Sequence, residues 1–429
     1  MLLLSIQIWP SSTPSTLNSC MIHIPSPSAT NQRKPQLFTT SYICILGANF
    51  LLFFSFWLLI PLLPFYLKEI YQQSESAIGA ILCVYTCAAL LVRPFSGYLL
   101  DTFQRKPLYI LSYSIFCTVF FGYIIGGTIF IFILLRILHG LSFGMVTVAG
   151  NTVVVDIMPA ERRGEGLGYY GLTNNTAMSI GPMVGLFLHD LISYEWIFAL
   201  SLATAGIGLF LASCVKAPAK PKTQRPVLSL DRFILMKGLR AGLALLLLSI
   251  PYSATTNYVA MYVKDINLNV VPGFFFTLMA AGMGISRIFA GKFVDKGYVT
   301  QCIHYGFYPV ILAFALLAAC QPLITISPTM AIVGFFLVPM LQGVGFGIIF
   351  PAYNSLYINL ALHNQRATAT STYLTSWDVG IGLGIFWGGA LAEAFSFSFV
   401  YLTGSILCLL SMLYFNKIVT PHYYQNKNI

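Results

Sequence analysis

Apolar stretches of 18 or more residues recur along the whole chain, beginning with "CILGANFLLFFSFWLLIPLLPFYL" at 44–67. A run of that length with few charges can cross the hydrocarbon core of a bilayer as a helix, since about 20 residues rise about 30 Å. Inside lipid the backbone must satisfy its own hydrogen bonds, which leaves helices or closed barrels. Barrel strands alternate apolar and polar residues over about ten positions, and these blocks do not alternate. Twelve spans are predicted, near 42–67, 76–100, 107–126, 128–155, 164–188, 193–215, 240–263, 271–294, 299–320, 329–361, 367–392 and 396–416. Charge composition agrees. Only 8% of the 429 residues are charged, against about a quarter in a soluble domain, too few to coat a water-facing surface.

Basic residues set the orientation. With the N-terminus placed in the cytoplasm, 18 Lys and Arg fall in inside loops and two, Lys68 and Lys264, fall outside; three arginines remain within spans. The excess of positive charge inside predicts both termini in the cytoplasm, as in a bacterial inner membrane. It also accounts for the formal charge of +10 without nucleic acid, because the charges are dispersed over short loops. The expected organisation is a disordered cytoplasmic segment at 1–40, a first six-helix bundle at 41–215, and a linker at 216–239. A second bundle at 240–417 and a cytoplasmic tail at 418–429 follow. The linker is to carry a helix lying on the membrane surface, built on Val227, Leu228, Leu230, Phe233, Ile234 and Leu235. "MLLLSIQIW" lacks a basic n-region and is short for a signal peptide, so Met21 is a candidate start. The nine cysteines form no CxxC and read as small core residues; no metal site or cofactor is expected.

The chain repeats itself. "RPFSGYLLD" at 93–101 returns as "RIFAGKFVD" at 287–295. Residues 138–190 align without a gap on 341–393, with Gly140/Gly343, Phe143/Phe346, Gly144/Gly347, Asn151/Asn354, Tyr170/Tyr373, Gly181/Gly384 and Gly185/Gly388 among the identities. Two bundles of the same direction follow, the arrangement in which a midplane site can be exposed to either side.

Several motifs, in order and on the matching spans, resemble the major facilitator superfamily, and within it the twelve-span drug:proton antiporters, over about residues 40–420. After span 2 stands Gly97-x-x-x-Asp101-x-x-x-Arg105-Lys106, with Thr102 and Gln104 departing from the family pattern. Span 4 carries Arg136-x-x-x-Gly140, and a basic, Gly-rich loop, "DIMPAERRGEGLGYYG", leads into span 5. Span 5 carries Ala177-x-x-x-Gly181-Pro182-x-x-Gly185. The resemblance implies an all-α integral membrane fold of two pseudo-symmetric six-helix bundles. Spans 2 and 11, and 5 and 8, should meet across the halves, with Gly97, Gly181, Gly185, Gly291, Gly384 and Gly388 allowing close approach. Asp101, facing the start of span 11, and Arg105, paired with Asp156, would form a latch on the cytoplasmic side. The bland alternative makes them solvated loop charges.

Charge inside a membrane is costly and marks function by default. Four such groups lie well within spans: Arg93, Arg136, Arg287 and Asp378. Arg93 lies eight residues before Asp101, about 12 Å deep, and Asp378 lies at similar depth on span 11, so an Arg93–Asp378 ion pair across the halves is predicted. It is either a proton-sensitive coupling element or a permanent bridge. Arg287 faces only an amide, Asn175, at the pseudo-equivalent place. Spans 1, 4, 7 and 10 line the cavity in the resemblance. That makes Arg136 a substrate or proton-coupling residue, or else a structural one. The further cavity candidates are Asn49, His139, Tyr252, Asn257, Tyr258, Gln342, Tyr353, Asn354 and Tyr357. Span 1 holds Asn49 where many of these antiporters hold an acid.

Gly140-Leu141-Ser142-Phe143-Gly144 spells G-x-S-x-G but sits within a span, not at the strand–turn–helix that a nucleophile elbow needs. No phosphate-binding loop or H-E-x-x-H occurs. The expected activity is secondary active transport by a monomer, export of an amphipathic small molecule in exchange for protons, with no enzymatic chemistry. The alternatives are an exporter of a sugar or other metabolite and, remotely, a membrane-embedded enzyme or receptor.

Overall fold

The computed structural model describes residues 36–159, 162–218, 234–361 and 366–427. The segment expected to be disordered, up to residue 35, and the linker residues 219–233, which hold most of the expected surface helix, lie outside the described residues. No strand occurs among those described. The helices are α1 (Thr40–Leu59), α2 (Leu63–Glu69), α3 (Glu75–Thr102), α4 (Arg105–Ile125), α5 (Ile129–Ile157), α6 (Arg163–His189) and α7 (Tyr194–Cys214). The second half continues with α8 (Leu239–Asp265), α9 (Gly273–Asp295), α10 (Val299–Ile326), α11 (Pro328–Leu360), α12 (Arg366–Ala394), α13 (Phe397–Tyr414) and α14 (Thr420–Asn426). Predicted span 1 is α1 with α2, spans 2 to 11 are α3 to α12, and span 12 is α13.

Local chemistry explains the boundaries. At the end away from the basic loops, hereafter the far end, helices begin on hydroxyl caps: Ser74 for α3, Thr128 for α5, Ser327 for α11 and Ser396 for α13, each side chain accepting from the backbone N–H three residues on. The tight turn between α4 and α5 uses Gly126 and Gly127 at φ +70° and +125°, a region L side chains avoid. Span 1 is not one helix as expected. It breaks after Leu59 and restarts at Leu63, with Pro64 in the first turn of α2, because proline suits a helix start and disrupts an interior. The expected tail at 418–429 carries a short helix. A π-helical turn, Phe415–Val419, joins α13 to α14, and Phe415, Val419 and Tyr423 are buried on one face. The Asn359 amide donates to the Tyr423 hydroxyl at 2.9 Å, seating α14 on α11.

Ten helical segments among those described are long and apolar enough to cross a membrane. Helices α6 and α12 match them in length, 27 and 29 residues, but carry "GLTNNTAMS" and "TATSTYLTSWD". These two pack against the opposite half, α12 on α3 and α6 on α9. Large apolar side chains such as Leu91, Phe121, Phe130, Phe210 and Ile326 stand exposed on the outside, the reverse of a soluble surface. Inside, small residues let backbones meet. A Cβ on Gly140 would strike the Tyr85 carbonyl of α3, and one on the repeat-related Gly343 would strike the Met279 carbonyl of α9. The repeated sequence thus builds the same helix pair twice.

Candidate functional site

The two halves touch at the far end. Gly79 of α3 lies under Ile385 and Phe386 of α12, where an added Cβ would come within 2.8 Å of a carbonyl; Gly389 lies closer still to the Glu75 carbonyl. The Ser76 N–H donates to Glu393 Oε2 at 2.8 Å. Lys264 of α8 reaches across to Glu69 Oε1 at 2.9 Å, and the Tyr194 hydroxyl donates to Glu69 Oε2 at 2.7 Å. On the other seam Gly273 packs on the Met183 backbone, and the Thr277 hydroxyl meets the Met183 sulfur at 3.1 Å. Lys68, with Glu75 at 2.5 Å, and Lys264 are therefore both committed to ion pairs at the far end.

Deeper toward the basic end, Arg93 Nη1 and Asp378 Oδ2 form an ion pair between α3 and α12, both side chains about one-fifth exposed. Beyond it the halves part. An added Cβ on Gly97 of α3 or Gly291 of α9 would meet nothing within 4 Å, and the same holds for Gly168 and Gly171 of α6. Among the described residues the close contacts between the halves thus gather at the far end, and the basic end is open beyond Arg93–Asp378.

This geometry corrects the expected interface glycines. Gly181 and Gly185 face Trp57 and Leu58 of α1, and Gly384 and Gly388 face Ile250, Ala254 and Tyr258 of α8. Each pair works inside its own half. The close approaches across the halves use Gly79, Gly389 and Gly273 instead. Pro182 lies inside α6. The Arg105–Asp156 pair exists at 2.5 Å but joins α4 to α5 within one half, so it does not by itself hold the halves together. The backbone of Asp101 lies in the last turn of α3, and its side chain lies outside the described residues.

The other predicted residues separate into engaged and unengaged groups. Asn49 is spent on packing: its amide donates to the Tyr170 carbonyl and the Thr173 hydroxyl of α6, at 3.2 and 2.8 Å. It is not a cavity residue in this state. Asn257 donates to the Ser253 carbonyl of its own helix at 2.9 Å, and the Tyr258 hydroxyl donates to the Ile385 carbonyl at 2.8 Å. The Tyr252 hydroxyl reaches the Met178 sulfur of α6 at 3.5 Å, across the halves. By contrast Gln342 is fully buried with both amide atoms unpartnered, and the Tyr353 hydroxyl and Asn354 Oδ1 also lack hydrogen-bond partners, while the Tyr357 hydroxyl is near Ser376. Arg287 touches the Met283 sulfur at 3.8 Å, and its Nε is unpartnered. Arg136, 2% exposed, stacks its guanidinium over the Tyr85 ring at 4.5 Å.

Two aromatic clusters, one per half, frame these groups. Phe56, Tyr85, His139 and Phe143 form the first, with Phe56 and Phe143 stacked at 4.4 Å. Tyr252, Phe346, Phe350 and Trp377 form the second, with Phe350 and Trp377 edge-on at 4.6 Å. The repeat maps Phe143 on Phe346 and His139 on Gln342. Tyr85 and Trp377 were not singled out by sequence reasoning. The available signal was their place on the interface helices, Tyr85 eight residues before Arg93 and Trp377 next to Asp378.

Two like six-helix bundles that meet at one end and part at the other have the architecture of a membrane transporter. The sequence pattern of the Major Facilitator Superfamily matches residues 45–385, and the chain belongs to that superfamily: it is a multi-pass membrane transporter of small molecules, not an enzyme. Among curated relatives, the quinolone resistance protein NorA of Staphylococcus aureus (strain MSSA476) is 24% identical over 321 residues, covering 74% of this chain and 81% of that protein. Multidrug resistance protein 2 of Bacillus subtilis (strain 168) is 32% identical over 149 residues, covering 35% of this chain and 37% of that protein. Among solved structures, the nucleoside transporter NupG superposes with a TM-score of 0.71 at 16% identity, covering 88% of this chain and 99% of that one. An inward-facing, occupied bacterial homologue of the human lysosomal transporter Spinster gives 0.72 at 12% identity, covering 90% and 98%. These structural likenesses concern the fold.

Proposed function

We propose that this transporter exports amphipathic small molecules in exchange for protons, with both termini in the cytoplasm of a bacterial inner membrane and a single chain as the working unit. The Arg93–Asp378 pair carries this reading, because it bridges the halves where the closed and open parts of the interface meet. A proton taken by Asp378 removes the charge that holds Arg93 and loosens that bridge; its release restores the bridge. The aromatic clusters of the two halves supply faces for an apolar body, and the basic loops support an open end facing the cytoplasm. The named relatives, resistance proteins for quinolones and for multiple drugs, support export of drug-like compounds.

Everted membrane vesicles containing the protein test this with a panel of amphipathic fluorescent dyes. Energised vesicles should accumulate at least one dye, and nigericin, which dissipates the pH gradient, should release it. Accumulation that survives loss of the pH gradient would contradict proton exchange. In intact cells, a cysteine introduced at position 266 should label from outside, and one at 218 should not.

A further inference from the structure

Thirteen acidic residues are available to the whole chain, and among the described residues Asp378 alone lies deep in a span. Arg93 takes it. No carboxylate stands against Arg136 among the described residues, although it is nearly fully buried, and its Nε and Nη1 have no hydrogen-bond acceptor. An ionised guanidinium in an apolar core without an anion is an expensive arrangement. Its compensations are neutral: the Tyr85 ring beneath it and a hydrogen bond with the Tyr123 hydroxyl.

The neighbours of Arg136 add to the surplus of unengaged polar groups. The Tyr85 hydroxyl, on the ring that Arg136 covers, is buried and unpartnered. His139, one turn along α5, is 1% exposed; its Nδ1 meets the Tyr123 hydroxyl at 3.2 Å while its Nε2 has no partner. Its ring lies 5.3 Å from that of Tyr85. Phe56 and Phe143 pack on the same Tyr85 ring, at 5.5 and 5.8 Å. A guanidinium and a phenol, both donors, therefore stand with an imidazole against an apolar aromatic wall. A cationic guest would meet a like charge there. A neutral guest would leave the guanidinium unpaired. A compact anionic group joined to an apolar body satisfies both sides, because guanidinium binds carboxylate-type oxygens through paired N–H donors.

We infer that the substrates of this transporter carry an anionic group, a carboxylate or its equivalent, that Arg136 and Tyr85 bind while the apolar body lies against Phe56 and Phe143. This rests on the export reading above and narrows its substrate class. The engagement of Asn49 with α6 fits the inference, since α1 then presents no acid that could receive a cation.

The test uses the purified full chain in nanodiscs and three dansyl probes with the same naphthalene body, ending in a carboxylate, a carboxamide or a trimethylammonium group. The carboxylate should bind at least about tenfold more tightly than either of the others. Arg136→Gln should lower its affinity to that of the carboxamide, Arg136→Lys should retain part of the preference, and Tyr85→Phe should weaken it by a smaller factor. Thermal unfolding of each variant checks that the fold persists. Equal binding of the three probes, or tightest binding of the trimethylammonium, overturns the anion site and leaves the transporter reading standing. The same holds if Arg136→Gln lowers the unfolding temperature while the order of the probes is kept, because Arg136 is then only a packing residue. Binding of the carboxylate without any pH-gradient-driven flux of it in proteoliposomes contradicts the exchange reading and leaves the anion site standing.

Discussion

Asp378→Asn is expected to abolish the response of transport to the pH gradient while the protein still inserts and folds. Asparagine keeps an oxygen that can accept from Arg93, so much of the contact between α3 and α12 survives, but the group no longer exchanges a proton. Asp378→Ala should do more. It strands the Arg93 guanidinium in an interface where both partners are only about one-fifth exposed, and breaking one side of a buried pair costs about 3–5 kcal/mol. The expected reading is a clear fall in the unfolding temperature for Asp378→Ala and Arg93→Ala, and a smaller one for Asp378→Asn. The double exchange, Arg93→Asp with Asp378→Arg, should recover stability above either single exchange. A pair that serves only as a permanent bridge would give the same stabilities but leave Asp378→Asn fully responsive to the gradient.

Gly97→Leu should separate stability from transport. Nothing lies within 4 Å of a Cβ at Gly97 in this open-ended state, so the unfolding temperature should hardly move, as for most substitutions without a core clash. Closing the basic end must bring α3 toward α12, and a leucine there blocks it. Transport should fall at least about tenfold, which corresponds to about 1.4 kcal/mol or more against the closed state. Gly79→Leu should act in the opposite sense. Its Cβ would already press on the carbonyls of Ile385 and Phe386, so it disfavours the present state and should increase labelling from the far side. Loss of folding in Gly97→Leu would show that Gly97 is buried against a neighbour in the resting protein.

The helical membrane fold and its repeat were legible because they rest on long-range regularities: apolar run length, the side of the basic loops and blocks that recur without gaps, one at an offset of 194 residues and one at 203. The Arg93–Asp378 contact was legible from depth alone, since rise per residue converts sequence position into height in the membrane. The partners of the glycines were not. Gly181 and Gly185 lie four residues apart and define one face of α6, but periodicity does not say whether α1 or α9 lies against that face, and it is α1. Asn49 failed for a similar reason. A buried amide serves equally well as a cavity donor or as a link between helices, and only the position of Thr173 decides. Tyr85 was hidden among the 24 tyrosines of the chain, where residue type carries little contrast. The docking of α14 had a readable sign in the spacing of Phe415, Val419 and Tyr423, four residues apart each time, which continues the buried stripe of α13 past the end of the membrane span.

In the proposed transport cycle one rigid-body rocking closes the basic end as it opens the far end, with the proton state of Asp378 biasing it. Spin-label distances measure this directly, in a background freed of reactive cysteines. One pair at Phe103 and Ser371 spans the basic end, and one at Leu191 and Val271 spans the far end; all four positions are exposed. A change of pH should shorten the first distance while lengthening the second, and Asp378→Asn should remove that dependence on pH. Distances that stay fixed, or that change at the two ends in the same direction, would contradict the account.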